Sequence, residues 1–166
     1  MDIKKQYLVD DEKFDIKNPI IQAAVKEAIG NETNLFWKAW RIYYYIIDKI
    51  SYERTGGWNP APMVLSRGTG SCSEYSFVFI AMCRAAGIPA RFAGSVVVRS
   101  ELTAIDDIFH RWVEIYLPGY GWVPVDPSGG DEKWPADQAK YFGFVGNRFL
   151  VTTHTGGKSK YLHFNY

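Results

Sequence analysis

Only two cysteines and three histidines occur in the 166 residues, and one cysteine stands where a nucleophile would be placed. In "GTGSCSEYSFVFIAMCRAAGIPAR", residues 68–91, Cys72 follows a glycine-rich turn and opens an apolar helical pattern. Ser71 and Glu74, three residues apart, form a capping-box signature that starts a helix of about fifteen residues at Cys72. Backbone N–H groups in a first turn are unpaired and the dipole there is positive, so a thiolate is favoured over a thiol. The competing reading is that Cys72 is a small packing residue, as most free cysteines are.

A base and an orienting group come from the strand-like half of the chain. In "FHRWVEIYL" alternation puts His110, Trp112, Glu114 and Tyr116 on one face and Val113, Ile115 and Leu117 on the other. In "GWVPVDP" the same alternation groups Trp122, Pro124 and Asp126. A hairpin turning at Pro118–Tyr120 with a three-residue loop brings Asp126 across from or diagonal to His110 on one face. A longer loop would shift that register and require a bulge. Taken singly, a strand histidine is an ordinary surface group and an Asp before Pro an ordinary turn former. Taken together, Cys72, His110 and Asp126 form a nucleophile, a base and an orienter. His110 would take the thiol proton, Asp126 would fix the ring and stabilise its charge, and the thiolate would attack an amide carbonyl. The Cys72 backbone N–H is the expected oxyanion donor. Trp58 and Tyr52 are the candidates for a second donor, since no Gln stands in the loop before Cys72.

These residues need elements to carry them. "NPIIQAAVKEAIGN" predicts a helix capped by Asn18, with Pro19 at its first position and Gly30 past its end. "TNLFWKAWRIYYYIIDKI" predicts a second, capped by Thr33 or Asn34, whose Phe36, Trp40, Tyr43, Tyr44, Ile47 and Ile50 recur at helical spacing as a packing stripe. Residues 53–70 are rich in Gly and Pro and read as a connecting loop, long enough that part of it is expected to be functional. The Cys72 helix ends at Gly87 and Pro89. Period-two strands follow in "ARFAGSVVVRS", "FHRWVEIYL" and "GWVPVDP", and the tail adds two strand-like runs around Thr-Gly-Gly-Lys. Helices first and antiparallel strands after is the α+β order.

Composition bounds the function. Apolar residues make up 47% and charged residues 22%, with a high aromatic share of 16%, and the length suits one domain over 1–166. A net charge of +1, without any Lys/Arg run interleaved with aromatics, points away from nucleic acid. No segment approaches the roughly 20 apolar residues of a membrane span. The N-terminus lacks the apolar region of a signal peptide, as either a cytoplasmic chain or a domain cut from an exported bacterial protein would. Cys72 and Cys83 lie about 16 Å apart along one helix, beyond the roughly 7 Å of a disulfide, so both are expected as free thiols. His154 and His163 have no ligand spacing to either cysteine, so no metal and no cofactor is expected. Glu114 lies about 13 Å along the strand from His110, outside the chemistry.

The three blocks, "GTGSCSEYSFVFIAMCRAAGIPAR" and then "FHRWVEIYL" and "GWVPVDPS", resemble the bacterial branch of the transglutaminase-like superfamily over about residues 50–128. The helical segments before them look like those that precede that core. The resemblance implies a papain-like α+β fold in which a Cys-bearing helix packs on an antiparallel sheet, with Cys72, His110 and Asp126 as the catalytic residues. It implies a thiol-dependent amide hydrolase, most simply a cysteine peptidase acting on a protein or peptide. Transglutaminase acyl transfer, deamidation or deglycosylation, and a non-catalytic binding module are the alternatives. No calcium-site spacing of carboxylates is evident. Many relatives carry a small residue after the histidine where this chain has Arg111; it is expected to face away from His110, with little mechanistic effect.

Overall fold

The computed structural model describes residues 3–54, 57–102 and 108–155. After a short helix α1 (Ile3–Tyr7), α2 (Pro19–Ile29) starts where sequence signals put it. The Asn18 side chain accepts the Ile20 N–H at 3.0 Å, Pro19 needs no donor partner in the first turn, and Gly30 at φ +55° ends the helix. In α3 (Leu35–Lys49) Asn34 is the cap, accepting from Phe36 and Trp37 N–H groups. Its buried stripe is Ala39, Ile42, Tyr43 and Ile46, continued by Ile50. The expected stripe was rotated from this: Phe36 and Trp40 lie on the helix shoulder, where they meet Phe142 at ring distances of 5.5 and 5.0 Å. The segment carrying Phe142 returns beside β-structure at Val125 and offers those aromatics a second packing surface.

Residues 53–70 are more than a loop. Strands β1 (Ser51–Tyr52) and β2 (Thr69–Gly70) pair in parallel and bracket a helix, α4 (Ala61–Arg67). Its Pro62 sits in the first turn and Gly68, at φ +76°, closes the end. Proline and glycine at those two places are helix start and stop signals, and on so short an element they leave little between them to read.

Helix α5 (Cys72–Ala85) is the centre of the molecule, with every residue from Ser73 to Arg84 buried. The chain leaves it through Gly87, at φ +83°, and Ile88, whose N–H returns to the Cys83 carbonyl at 2.8 Å. Four antiparallel strands follow, β3 (Ala90–Val97), β4 (Phe109–Leu117), β5 (Gly121–Val125) and β6 (Phe149–Thr155), in the spatial order β5-β4-β3-β6. Phe92, Val113 and Ile115 join α5, α3 and α2 residues in one apolar core. The β4–β5 hairpin turns through the three residues Pro118–Tyr120, with Leu117 opposite Gly121, so the expected register holds. The second strand-like run of the tail, with His163, lies outside the described residues. Among the described residues no helix is long and apolar enough to cross a membrane.

After β5 the chain makes a turn through Ser128–Gly130, then a short helix α6 (Pro135–Gln138) and a 3-10 turn, Ala139–Tyr141. Gly130 lies against the Tyr43 hydroxyl, which donates to the Gln138 carbonyl at 2.5 Å. A Cβ on residue 130 would stand 1.8 Å from that oxygen. Tyr43 is fully buried and fixed by its hydrogen bond, so the backbone must yield. Gly130→Ala is expected to cost about 1–3 kcal/mol, the range for overpacking a tight site, as measured by urea unfolding. Unchanged stability would contradict this packing.

Candidate active site

Cys72 is the first residue of α5. The helix start is fixed by Glu74, a fully buried carboxylate with four donors: the Ser71 N–H at 3.0 Å, Asn59 through N–H at 3.2 Å and Nδ2 at 2.8 Å, and Arg67 at 2.9 Å. The capping box is therefore also a clamp. It ties the 57–59 segment and the end of α4 to the turn that presents the sulfur, and Arg67 balances a charge that would otherwise be costly to bury.

His110 is the second residue of β4. Its Nε2 meets Asp126 Oδ2 at 2.5 Å, and its ring lies close enough to the Cys72 thiol for each to favour the other's charged form. With Nε2 committed to the carboxylate, Nδ1 is the nitrogen left for sulfur. By register Asp126 lies diagonal to His110, one step beyond the last β4–β5 pair, Val113 with Val125. The carboxylate is aimed from behind: Ser128 Oγ donates to Oδ1 at 3.0 Å and the Gly129 N–H at 2.8 Å. Gly129 must be glycine in this turn, since a Cβ there would meet Tyr141 at 2.6 Å and Asp126 Oδ2 at 2.7 Å. Ser128 and Gly129 had no assigned role in the sequence. The signal was the "DPSGG" run directly after the strand.

Arg111 departs from expectation. It does alternate away from His110, but that puts it on the face packed against α5, together with Val113 and Ile115. Its charge nonetheless favours the Cys72 thiolate. The reason is local. The β4–β5 ladder ends at Val113–Val125, so Arg111 lies two residues beyond the last pair, at the edge where β5 turns away.

The candidate oxyanion donors separate. The Cys72 N–H is at the helix start, outside any intrahelical bond. Tyr52 is half-exposed and close enough for the Cys72 and Asp126 charges to add to the effect of burial in raising its hydroxyl. Asp131 holds its backbone, accepting the Tyr52 N–H and the Tyr75 hydroxyl at 2.8 Å each. Trp58 instead packs on Phe77 and Phe92, and the Arg111 guanidinium lies 5.6 Å above its ring. Glu114 pairs with Arg91 at 2.6 Å and with His154 at 3.4 Å, away from the sulfur. A groove of about 590 Å³ between Asn34, Trp37, Leu117 and Tyr120 lies at the opposite end of β4.

Electrostatics favour a charge-separated pair. Burial works to raise the Cys72 thiol but is outweighed by the His110 hydrogen bond and charge, then by Arg111, leaving it lowered. Burial works to lower His110, yet its bonds to Asp126 and Cys72 raise it to about 10. Both shifts run toward the charge-separated form, with sulfur favoured as thiolate and the ring as imidazolium. Cys83 is the opposite case, a fully buried free thiol pushed up by desolvation. Replacing Asp126 with Asn removes a raising influence on His110 and hence the imidazolium beside sulfur. In Asp126→Asn, alkylation of Cys72 by iodoacetamide is expected to slow at pH 7 and its rise to move toward the ordinary thiol range near pH 8.5. Cys83 stays unlabelled in the native protein. Equal labelling of both thiols, or an unmoved profile, would count against this arrangement.

Comparison with known proteins bears on the family and the fold. Residues 22–127 match the model of the transglutaminase-like superfamily. A protein of Haemophilus influenzae of undescribed function is 29% identical over 74% of this chain and 41% of its own length, and the Bacillus subtilis protein YebA is 32% identical over 37% of this chain and 10% of its own. A candidate cysteine protease from Cytophaga hutchinsonii superposes with a TM-score of 0.70 at 18% identity, over 95% of this chain and 48% of that one. The periplasmic domain of TgpA from Pseudomonas aeruginosa gives 0.62 at 22%, over 76% and 46%. The chain thus spans less than half the length of these relatives, and the two structures share its α+β, papain-like architecture. With the family model covering most of the chain, from α2 through the residue after Asp126, this protein belongs to the transglutaminase-like superfamily.

Proposed function

We propose that the protein is a thiol-dependent amide hydrolase, most simply a cysteine peptidase, acting through a thioester on Cys72. The observation that carries the proposal is the His110 ring held by Asp126 at 2.5 Å and interacting with the Cys72 thiol so that each favours the other's charged form. Membership of the family supports it, as does the fold shared with a candidate cysteine protease.

In this reading the Cys72 thiolate adds to an amide carbonyl carbon, and the displaced C=O electron pair becomes an oxyanion that meets the Cys72 N–H. The tetrahedral adduct collapses with cleavage of the C–N bond, and the His110 imidazolium gives its proton to the departing amine. The neutral ring then takes a proton from water while the oxygen attacks the thioester. Collapse of the second adduct frees a carboxylic acid and returns the thiolate–imidazolium pair. Asp126 stays ionised throughout and holds the ring in the orientation needed at both proton transfers. If an amine replaces water in the second half, the same residues perform acyl transfer.

Labelling with an electrophilic peptide probe, followed by product analysis that separates hydrolysis from amine incorporation, tests the proposal. Cys72→Ala is expected to abolish both labelling and turnover with the fold retained, and Asp126→Asn to lower turnover roughly 10²–10⁴-fold. Labelling and turnover that survive in Cys72→Ala would exclude it. Amine incorporation in preference to hydrolysis would assign the transglutaminase reaction instead.

A further inference from the structure

The His110 ring lies in an aromatic stack supplied by the far edge of the sheet. Phe149 of β6 faces it with ring centroids 5.3 Å apart and planes inclined by 29°, and Trp112 closes the group at 6.1 Å from His110 and 5.4 Å from Phe149. Plain alternation along β6 would not put Phe149 there. His154 lies opposite Ala93, which lies opposite Trp112, and the step from 154 to 149 is odd, so an uninterrupted strand would turn Phe149 to the other face of the sheet. A β-bulge intervenes. Gly94 pairs with Thr153 but Ser95 with Val151, which leaves Thr152 as the extra residue, its Oγ1 donating to the Gly94 carbonyl at 3.3 Å. Past the bulge Phe149 pairs with Val97 on the His110 face, and its ring reaches His110 across β3, where the side chains on that face are the small Ser95 and Ala93. We propose that Phe149 is a positioning residue for the proposed hydrolase: its ring, stacked on His110, holds the imidazole in the plane from which it exchanges protons with Cys72 and with substrate.

The inference rests on His110 being the base at Cys72, and it names what fixes that base. Asp126 holds one ring nitrogen at 2.5 Å, and a single bond leaves the plane free to turn, because the outer torsion of a histidine has only broad minima. A face contact removes that freedom. The face of an aromatic ring carries the negative part of its quadrupole, so an imidazolium against it is favoured over the neutral ring, in the same direction as Asp126. The backbone beneath the ring is tied as well, with Ser95 Oγ donating to the His110 carbonyl at 3.0 Å. Trp112 contributes its ring rather than its donor: its indole N–H is buried without a hydrogen-bond partner among the described residues, a cost that packing must offset. Phe149 lies beyond residues 22–127 that match the family, so the contact is supplied from outside the matched core, by β6.

The test compares the wild type with Phe149→Leu, which keeps apolar bulk without a flat face, and with Phe149→Tyr, which keeps the face. Alkylation of Cys72 by iodoacetamide across pH reads its pairing with His110 without any peptide. A loosely held imidazolium lowers the thiol less, so in Phe149→Leu the acid limb is expected to move up by about 0.5–1 pH unit, part of what a whole adjacent charge supplies. Peptide turnover is expected to lose roughly 10–100-fold in kcat with KM little changed, the effect of misplacing a reacting group. Phe149→Tyr is expected to restore both. Asp126 beyond β5, Arg111 on β4 and Tyr52 on β1, the other charged or titratable groups acting on Cys72 and His110, are the same in every variant. A packing role alone would lower stability in urea and leave limb and kcat in place. A folded Phe149→Leu protein with the wild-type limb and kcat overturns the inference. Should that variant not fold, NMR of the wild type decides: the stacked Phe149 ring is expected to displace the His110 ring-proton resonances upfield, and undisplaced resonances, identified among the three histidines with His110→Gln, overturn it equally. A wild type that cleaves no peptide but whose limb still depends on the ring at position 149 rejects the hydrolase and keeps the positioning role, whereas a cleaving wild type indifferent to Phe149→Leu does the reverse.

Discussion

The site depends on where β5 parts from β4. After the Val113–Val125 pair the fifth strand turns away at Asp126, and its backbone instead meets the returning segment, with the Asp126 N–H bonding the Tyr141 carbonyl. An interior strand losing its neighbour exposes ladder groups that must find other partners. Here the residue just past the end of the neighbouring strand supplies the carboxylate for His110. One local divergence therefore creates the gap that the start of α5 fills and puts the carboxylate beside it.

Such a gap would be expensive if its charges were not matched. His110, Arg111, Asp126 and Glu74 are all largely removed from water, and an isolated charge there costs several kcal/mol. Each has a partner. Glu74 has Arg67 and three uncharged donors, Asp126 has His110, Ser128 and Gly129, and the charges of His110 and Arg111 favour an anion at Cys72. His110 and then Arg111 thus lower the Cys72 thiol despite burial, while that of Cys83, eleven residues along the same helix, rises because burial outweighs the neighbouring Arg84.

Rigid support extends outward from these pairs. Tyr75 on α5 donates to the Ile50 carbonyl and to Asp131, which also receives the Tyr52 N–H, so the helix, β1 and the turn after Asp126 are linked at one carboxylate. Tyr43 of α3 fills the space under Gly130 and binds the Gln138 carbonyl. The N-terminal helices, far from the sulfur in sequence, so fix the turn that aims Asp126.

Local sequence determined the helix limits at Asn18, Gly30, Asn34 and Ser71, the hairpin turn at Pro118–Tyr120 and the face shared by His110 and Asp126, because caps, turns and alternation act within a few residues. It also singled out the cysteine that opens a helix. It did not reveal α4, whose short span between proline and glycine has no room for a periodic signal, nor which side of α3 would be buried, since that is settled by the segment bearing Phe142. Arg111 shows the limit most clearly. Alternation correctly turned it from His110, yet only the docking of α5 against the sheet brought its charge to bear on Cys72, 39 positions away, an outcome no local pattern encodes.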